Sequence, residues 1–514
     1  MKLLITILLL CVMTSARPRI LFSGSSGNTA NIVLIQIARV VNSNQDYQLS
    51  FGTFDEFKTK VDSLGTHVRF IDYGKNPSHI PVELAKAIAV ETTFYKSMAN
   101  ITSILLRTYE PTFKALEPIF KDPSTRPHVL VSDYFDLAGP DLADHYSVPV
   151  VIVKSNAQLD FGGFFEMPRD LPDRTLGHGL QDMKNFKKRL WQTIAPAWYM
   201  TGYMIPIWMR YDQLSNLRRR FGINVGEAKP FGSLDDRIVI CCTSFGFEYA
   251  RPISTYTHLV GLLHEPYDPS THIKQQDMGL MNWLDQSEQI VVYVSFGTLV
   301  RPLDWHLENL VRGVLMNSSA RVLIATTSQH DASLLQDIDA SRVRIEPWVN
   351  QQMVLHHART RVFISHGGGQ SIAEGLSCGM PMLILPFMSD QLPNAIRLFE
   401  MGAGLYLNKA DFTAQEVYEK MMRLLNEDGF RERSKHLYSV SLTYGHERRA
   451  AEIVVNTLEV GEEHLKPFDH DFTFLQKYNL DVHLLIGCAM SVLTFSARLV
   501  ITKIGKKLFG LIKK

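Results

Sequence analysis

Residues 362–391 read VFISHGGGQSIAEGLSCGMPMLILPFMSDQ, and they give the clearest indication of the fold class. A short apolar run at 362–364 leads into three glycines, and a longer segment of helical pattern separates it from a second apolar run at 382–385. Strands that are apolar on both faces and alternate with helices belong to parallel sheets covered on both sides. The stretch therefore predicts one strand–helix–strand unit of a doubly wound α/β domain.

The same alternation runs through both halves of the chain. Short apolar runs predict ten strands, at 19–22, 47–51, 68–71, 129–131, 150–153, 290–294, 322–325, 343–345, 362–364 and 382–385. A chain of 514 residues is too long for one ordinary core. We therefore predict two doubly wound, Rossmann-like domains, with a proline-containing polar linker at 264–271.

Charge and cysteine content exclude some classes of function. Lys and Arg number 53 and Asp and Glu 52, so the formal net charge of +1 predicts no nucleic-acid partner. The 46% hydrophobic and 20% charged residues are typical of a globular protein. The adjacent pair Cys241 and Cys242 does not have metal-ligand spacing, and we expect no metal site.

Both ends of the chain carry apolar segments. Lys2, the apolar run 3–12 and the small residues 14–16 predict a signal peptide at 1–16, with a buried strand or helix as the alternative. Residues 482–502 are long and apolar enough to cross a bilayer, and the basic tail 503–514 marks the cytoplasmic side. A helix lying on the membrane surface is the alternative there. The two ends together predict a single-pass type I membrane protein.

Two tripeptides have the pattern of N-glycosylation sites. They begin at Asn100 and Asn317, and they can be used only in the secretory lumen. Such tripeptides also occur by chance. An aromatic-rich region predicts either internal packing or an apolar acceptor pocket or membrane face, and it comprises Phe161, Phe164, Phe165, Trp191, Trp198, Tyr199, Tyr203 and Trp208.

The glycine-rich turn carries the chemistry. We expect a helix to begin near Gly369, and the unpaired N–H groups and positive dipole at a helix start attract phosphate. Gly367 and Gly368 let the backbone approach a ligand closely. His366 adds a side-chain donor, and Glu374, one turn after Gln370, can accept hydrogen bonds from a ribose diol.

Residues on either side of this turn complete a predicted nucleotide-sugar site. Trp348 offers a flat face for a base, and Gln351 lies beside it in the sequence. Asp390 and Gln391 follow the next predicted strand and can hydrogen-bond sugar hydroxyls. Ligands in doubly wound sheets sit outside the carboxyl ends of the strands, which points to the loops 23–29, 132–135, 295–298, 365–370 and 386–391.

The order and spacing of these residues resemble the signature of the UDP-glycosyltransferase family, in the form found in animal UDP-glucuronosyltransferases. Further similarity lies in VVYVSFGT at 291–298, PMLILPFMSDQ at 381–391, MGAGL at 401–405 and HLKP at 464–467. The resemblance covers nearly the whole chain, strongly after Cys242 and loosely before it. It implies the two-domain GT-B fold, with an acceptor-binding domain at 17–255, a UDP-sugar-binding domain at 256–460 and a juxtamembrane segment at 461–481.

The resemblance also implies roles for individual residues. Trp348 and Gln351 would hold the uridine, and Glu374 the ribose. Ser295 and His366 would hold the diphosphate, within the turn that includes Gly367, Gly368, Gln370 and Ser371. Asp390 and Gln391 would hold the sugar.

The family's reaction is inverting transfer to a small lipophilic acceptor, in which a histidine oriented by an aspartate deprotonates the acceptor. The UDP-sugar is a co-substrate, and no cofactor or metal is required because the helix start and His366 meet the leaving-group charge. Residence in the endoplasmic reticulum membrane, with the catalytic domain in the lumen, is implied as well. Oligomers with copies or relatives are compatible with the family.

The catalytic pair is only half present. Asp133 matches the family's aspartate, but the histidine position falls on Thr29 or Ala30, and no histidine precedes His67. Three interpretations stay open. The protein is an enzyme for acceptors that need little deprotonation, or a UDP-sugar-binding partner or regulator of active relatives, or an enzyme in which another histidine such as His145 replaces the missing one.

Overall fold

A computed structural model describes residues 17–25, 27–44, 46–77, 89, 94–154, 179–191, 212–224, 237–272, 277–298, 300–326, 338–388, 390–467, 472–477 and 479–512. The chain divides into two compact units, residues 1–462 and 463–514. The predicted signal peptide, and all of the aromatic-rich region except Trp191, lie outside the described residues.

The first sheet has seven parallel strands in the order β3-β2-β1-β4-β5-β6-β7. The strands are β1 Arg19–Ser23, β2 Gln48–Thr53, β3 Arg69–Asp72, β4 Val129–Asp133, β5 Val150–Lys154, β6 Ile238–Cys241 and β7 Thr257–Leu259. Its helices are α1 Asn28–Ser43, α2 Lys58–Asp62, α3 Phe94–Lys121 and α4 Ala138–His145, with 3-10 turns at Asp55–Phe57 and Leu180–Lys184. The order reverses between β1 and β4, which is the crevice where doubly wound sheets bind ligands.

The second sheet has six parallel strands in the order β10-β9-β8-β11-β12-β13. They are β8 Ile290–Ser295, β9 Ala320–Ala325, β10 Val343–Glu346, β11 Thr360–Ser365, β12 Met382–Ile384 and β13 Gly404–Tyr406. The surrounding helices are α5 Pro269–His272, α6 Met278–Asp285, α7 Asp304–Leu315, α8 Gln351–His356, α9 Gly369–Ser377, α10 Gln391–Glu400, α11 Ala414–Asn426, α12 Gly429–Leu442 and α13 His446–Val460, with a 3-10 turn at Ala340–Arg342.

Burial in the second sheet alternates between its two faces. Val292 and Val294 join the apolar cluster on one face, while Val291 and Tyr293 join the cluster on the other. Successive side chains of a strand point to opposite faces, so a strand covered on both sides must be apolar throughout. All ten predicted strands are present, which confirms the predicted fold of two Rossmann-like sheets.

Three strands, β6, β7 and β13, were not predicted. The β6 sequence IVIC carries a readable apolar signal, whereas β7 and β13 have three residues each and β13 begins with a glycine. Strand β7 pairs with β6 and extends the first sheet to Leu259, four residues beyond the expected end of the acceptor-binding domain at 255.

The last helix of the first unit crosses back to the first sheet. Helix α13 packs against α1 and buries Ala450, Ile453 and Val454, although its sequence lies in the predicted second domain. The Tyr47 hydroxyl donates to Glu459 Oε1 at 3.1 Å. The range 256–460 therefore contributes to both sheets, since α13 covers apolar surface that the first sheet would otherwise expose.

The second unit contains a 3-10 turn at Glu463–Leu465 and two helices, α14 Phe474–Lys477 and α15 Leu480–Ile512. Within α15, Leu480–Lys503 has 24 residues with a mean hydropathy of 2.0 and no buried side chains. In the described part of the chain this is the one helix long and apolar enough to cross a membrane, and it contains the predicted span 482–502.

Candidate active site

The carboxyl ends of three neighbouring strands of the second sheet meet at one edge. Ser365 at the end of β11 pairs with Ser295 of β8 on one side and Ile384 of β12 on the other. The loops that follow these strands therefore emerge side by side. They carry the residues predicted to bind the diphosphate and the sugar, whereas Trp348 and Gln351 follow β10.

The turn between β11 and α9 has the geometry of an anion site. Gly367 has φ +85°, and a Cβ there would lie 2.7 Å from Ile384 Cγ2, so only glycine fits. Helix α9 begins at Gly369 as predicted, and its N-cap residue Gly368 provides no side-chain cap. The first N–H groups of the helix thus stay available to a ligand, and the positive dipole end favours an anion.

His366 is enclosed by two glycines. A Cβ at Gly297 would lie 3.0 Å from its Cε1, and a Cβ at Gly368 would lie 2.5 Å from its Nε2. Burial lowers the pKa of His366 to about 4, although a hydrogen bond with the Ser295 backbone acts to raise it. The imidazole is therefore neutral near pH 7. Its buried Nδ1 has no partner among the described residues. A phosphate beside this ring would raise the pKa and draw a proton onto it.

Glu374 lies in a cluster of side-chain amides. The Nε2 groups of Gln351 and Gln370 both donate to its carboxylate, the latter at 3.1 Å. Tyr293 in turn donates to Gln351 Oε1 at 3.2 Å. Burial raises the pKa of Glu374, and the amides act in the opposite direction. The structure thus brings Gln351, predicted to hold uridine, into contact with Glu374, predicted to hold ribose.

Trp348 is exposed, and Lys60 lies near enough to Glu374 for their charges to interact. The Trp348 side chain is 65% exposed, which leaves a ring face open to solvent. Lys60, on α2 of the first sheet's domain, has its pKa lowered by burial and raised by the charges of Glu265 and Glu374. Sequence reasoning missed Lys60, because it is separated from Glu374 by most of the chain.

The two predicted sugar-binding residues begin helix α10. Asp390 Oδ2 accepts from Asn394 Nδ2 at 3.0 Å. Gln391 is buried, and its Oε1 accepts from the N–H groups of Phe387 and Met388 at 2.8 and 3.0 Å. Its amide oxygen therefore holds the turn, and only the nitrogen is left for a sugar hydroxyl.

Asn394 was missed from the sequence. Its Nδ2 also donates to the Gly367 carbonyl at 3.0 Å and so ties the sugar-side turn to the phosphate-side turn.

Asp133 ends β4 in the first sheet and is 1% exposed. Its Oδ2 accepts from the Phe135 N–H at 3.1 Å, and the Ser25 hydroxyl hydrogen-bonds the carboxyl. Its buried Oδ1 has no partner among the described residues. Burial raises the pKa of Asp133 to about 7, the hydrogen bonds oppose this, and the charge of Asp136 adds to it.

Asp136 is a second buried carboxyl that sequence reasoning missed. It accepts from the hydroxyls of Ser23 and Ser132, and Tyr73 in turn hydrogen-bonds Ser23. Its Oδ1 also accepts from the N–H groups of Ala138 and Gly139, each at 3.1 Å. The available signal was an aspartate just before the start of α4, a position that favours side-chain acceptors.

The histidine position of the family lies in the first turn of α1. Thr29 is half-buried and Ala30 is 4% exposed, and neither side chain titrates near neutral pH. Within the described residues, no imidazole hydrogen-bonds Asp133. His145 is exposed at the last residue of α4, a helix of eight residues that begins beside Asp136. His145 lies about 10 Å from the start of that helix. This geometry therefore does not favour His145 as the replacement base.

Comparisons with known proteins agree with this geometry. Solved structures share the architecture: the kitacinnamycin glycosyltransferase has a TM-score of 0.62 at 16% identity, over 86% of this chain and 100% of that one. UGT71G1 of Medicago truncatula, solved with UDP-glucose, has a TM-score of 0.58 at 17% identity, over 86% and 98%. The protein thus has the GT-B glycosyltransferase fold.

Sequence comparison defines the family. Residues 125–514, more than half of the chain, match the family described as UDP-glucoronosyl and UDP-glucosyl transferase. UDP-glycosyltransferase 1 of Phaeomoniella chlamydospora is 24% identical over 67% of this chain and 70% of its own length. Human UDP-glucuronosyltransferase 1A7 is 25% identical over 70% of this chain and 66% of its own. The chain belongs to this family of UDP-sugar glycosyltransferases.

Proposed function

We propose that this protein transfers a hexosyl group from a UDP-sugar to a small lipophilic acceptor, with inversion at the anomeric carbon. The carboxyl edge of the second sheet carries the proposal: an uncapped helix start, a glycine cradle, His366 and the Glu374 amide cluster converge there. Phosphate, ribose and base each have a chemically suited partner.

The reaction needs one bond made and one broken. The acceptor's oxygen or nitrogen attacks the anomeric carbon while the bond from that carbon to the UDP oxygen breaks, and UDP leaves with the bonding electrons. The N–H groups at the start of α9 and His366 would receive the developing charge. The acceptor would bind in the domain of the first sheet, which holds Asp133.

Asp133 is the proposed proton acceptor in place of the family's histidine. A carboxyl whose pKa is about 7 is about half ionised at neutral pH and can take a proton from an attacking acceptor. Its Oδ1 has no competing partner among the described residues. Because Asp133 is buried, the Ser25 hydroxyl that hydrogen-bonds it is the proposed route for the proton.

This arrangement favours acceptors that need little help from a base. Neutral amines attack with their lone pair and lose a proton afterwards, and acidic phenols ionise readily. Aliphatic alcohols must lose a proton as they attack, so a weaker base slows them most. We therefore propose amines and acidic phenols as the acceptor class.

We propose glucuronic acid as the transferred sugar, and we propose that the catalytic domain lies in the lumen. Several relatives are named UDP-glucuronosyltransferases, among them mouse 1A9 and human 1A7. The apolar helix Leu480–Lys503 and the basic residues after it support a single-pass type I anchor in the endoplasmic reticulum membrane.

A second candidate function is binding of a UDP-sugar without efficient transfer, as a partner or regulator of active relatives. One observation favours it: Asp133 is 1% exposed and has no imidazole partner among the described residues. A transfer screen on the membrane fraction separates the two functions, with UDP-glucuronate and UDP-glucose each offered to phenol and amine acceptors. Product with an amine or acidic phenol supports the transferase, whereas UDP binding without product supports the binding protein.

A further inference from the structure

A cavity of about 500 Å³ opens at the amino end of β11, opposite the carboxyl end where the donor site lies. It is lined near the amino end of β11 by Thr360 and Arg361, and near the end of α9 by Cys378. Strand β11 has six residues and spans about 17 Å, so this cavity is separate from the glycine-rich turn at the strand's other end. A cavity of this volume holds a small molecule.

Two guanidinium groups line the cavity. Arg361 and Arg431 both face it, and neither forms an ion pair with a described residue. The charges of Asp428 and Glu432 act on Arg431, and Glu432 also pairs with Lys435 at 3.4 Å. The pKa of Arg431 is lowered first by burial and then by the charge of Arg361, which places the two cations close together.

A buried hydroxyl adds an independent sign of a ligand. Thr360 is 3% exposed, and its Oγ1 has no hydrogen-bond partner among the described residues. Leaving a buried hydroxyl unpaired costs about 1–3 kcal/mol, so such groups are usually satisfied by a ligand or water. Thr360 is part of the same cavity wall as the two arginines and the neighbouring histidines.

The histidines of the wall are already held in place. His356 stacks on Tyr267 with ring centroids 4.1 Å apart, and its Nδ1 contacts the Gln352 carbonyl at 2.9 Å and Cys378 Sγ at 3.4 Å. His357 contacts Asp285 Oδ1 at 3.1 Å. These two histidines therefore already have partners, which leaves the arginines and Thr360 to bind a ligand.

We propose that this cavity is a binding site for a phosphoryl group, held by Arg361, Arg431 and the Thr360 hydroxyl. The planar guanidinium fork matches the oxygens of phosphate, and two forks on one cavity suit a dianion. The phosphoryl group belongs either to a small soluble phosphate ester or to a lipid headgroup. The site does not depend on the proposed transferase reaction, because none of its residues belongs to the donor site.

Calorimetry on the full chain in neutral detergent tests the site. Inorganic phosphate and glycerol 3-phosphate are the soluble probes, dihexanoyl phosphatidic acid is the lipid probe, and saturating UDP fills the donor site. We expect saturable binding of at least one probe. Removing one charge-assisted contact should weaken that binding about tenfold or more in Arg361→Ala and in Arg431→Ala. Preference for the lipid probe assigns the source to a headgroup, and preference for the ester assigns it to a soluble ligand.

Matched variants keep the result interpretable. Arg433→Ala removes an exposed arginine from the same helix as Arg431, and it should bind as the wild type does. Arg431→Lys keeps the charge without the fork and should lie between wild type and Arg431→Ala. Thr360→Val should weaken phosphate binding severalfold, yet melt no lower than wild type without phosphate, because it removes an unpaired hydroxyl.

Several outcomes would overturn the proposal, and the first three concern the cavity itself. They are no saturable binding of any probe at millimolar concentration, equal loss of binding in Arg433→Ala, and full binding in both Arg361→Ala and Arg431→Ala. His366→Ala, measured without UDP, is the control for the donor site, and loss of all phosphate binding in that variant would also contradict a separate site.

Discussion

Glu248 and Arg397 form a buried ion pair, with Oε1 and Nη2 3.0 Å apart and side chains 0% and 5% exposed. Arg251 joins the same carboxylate at 3.2 Å. Arg397 belongs to α10, the helix that begins with Gln391 at the donor edge. The pair therefore links the chain that follows the first sheet's β6 to the helix that carries the sugar-side turn.

Glu248→Gln should destabilise the protein strongly. The substitution keeps the size of the side chain but leaves two buried guanidinium groups without their carboxylate, which costs about 3–5 kcal/mol. Thermal melting of the detergent-solubilised chain measures the loss. Asp62→Asn, which breaks the exposed pair with Lys58, is the control and should leave the melting temperature unchanged. Equal melting of Glu248→Gln and wild type would show that the pair does not hold the two halves.

Asp133→Asn should lower transfer by about two to four orders of magnitude, the usual value of general-base help. The base is the carboxylate form, and its pKa is raised to about 7, so the wild-type rate should rise through pH 7 and level off above it. The residual rate of the Asn variant should not show this rise. A pH profile of kcat/KM with a phenol acceptor checks the lower rate and the lost pH dependence. Identical profiles for wild type and Asp133→Asn would show that Asp133 is not the base.

The same raised pKa has a consequence for stability with a definite sign. The folded protein binds the proton of Asp133 up to about pH 7, whereas the unfolded chain releases it near the ordinary value of 3.8. The unfolded state therefore holds fewer protons between these values, and the contribution of Asp133 to stability falls as pH rises through that range. Asp133→Asn should accordingly melt higher than wild type at pH 8 and show a smaller gain at pH 5.

Thr29→His should raise transfer to ordinary phenols. The Thr29 side chain is half-buried and can be enlarged, whereas Ala30 is 4% exposed, so Ala30→His should overpack the first turn of α1 and lower the melting temperature instead. If Asp133 orients the new imidazole, Thr29→His combined with Asp133→Asn should lose the gain. Unchanged phenol rates in Thr29→His would mean that Asp133 is not placed to orient that ring.

UDP should protect the described domains against heat or proteolysis, and His366→Ala and Glu374→Ala should abolish this protection. The reason is that each variant removes a group at the carboxyl edge where phosphate or ribose is proposed to bind. His436→Ala and Glu419→Ala remove exposed residues of the same types from other helices and should leave protection intact. Absence of any UDP protection in the wild type would contradict the assignment of the donor site.

Protease added to sealed microsomes should remove only the tail after Thr502. The single apolar helix of the described residues, followed by lysines, favours a cytoplasmic carboxyl end and a lumenal body. Glycosidase-sensitive mass should be present, and it should fall in Asn100→Gln and Asn317→Gln if those sites are used. Digestion of the body in intact microsomes would contradict the lumenal orientation.

The layers of the fold and the donor turn could be predicted from the sequence. Apolar runs mark strands covered on both faces, and three glycines before residue 370 place the start of α9, because periodicity and backbone freedom act over a few neighbouring residues. The shortest strands escaped this logic. Three residues, as in β7 and β13, show too little of a pattern to be distinguished from a loop.

Contacts between residues that lie far apart in the chain could not be predicted and are seen only in the folded structure. Asp136 accepts a hydrogen bond from Ser23, 113 residues away in the chain. The charge of Glu374 raises the pKa of Lys60, and α13 packs against α1 of the first sheet's domain. The pKa of Asp133 is likewise set by burial and by Asp136, neither of which a strand pattern specifies. Parallel strands are joined by long crossovers, so residues that share an edge of a sheet lie far apart in the chain, and their contacts follow from packing rather than from local sequence.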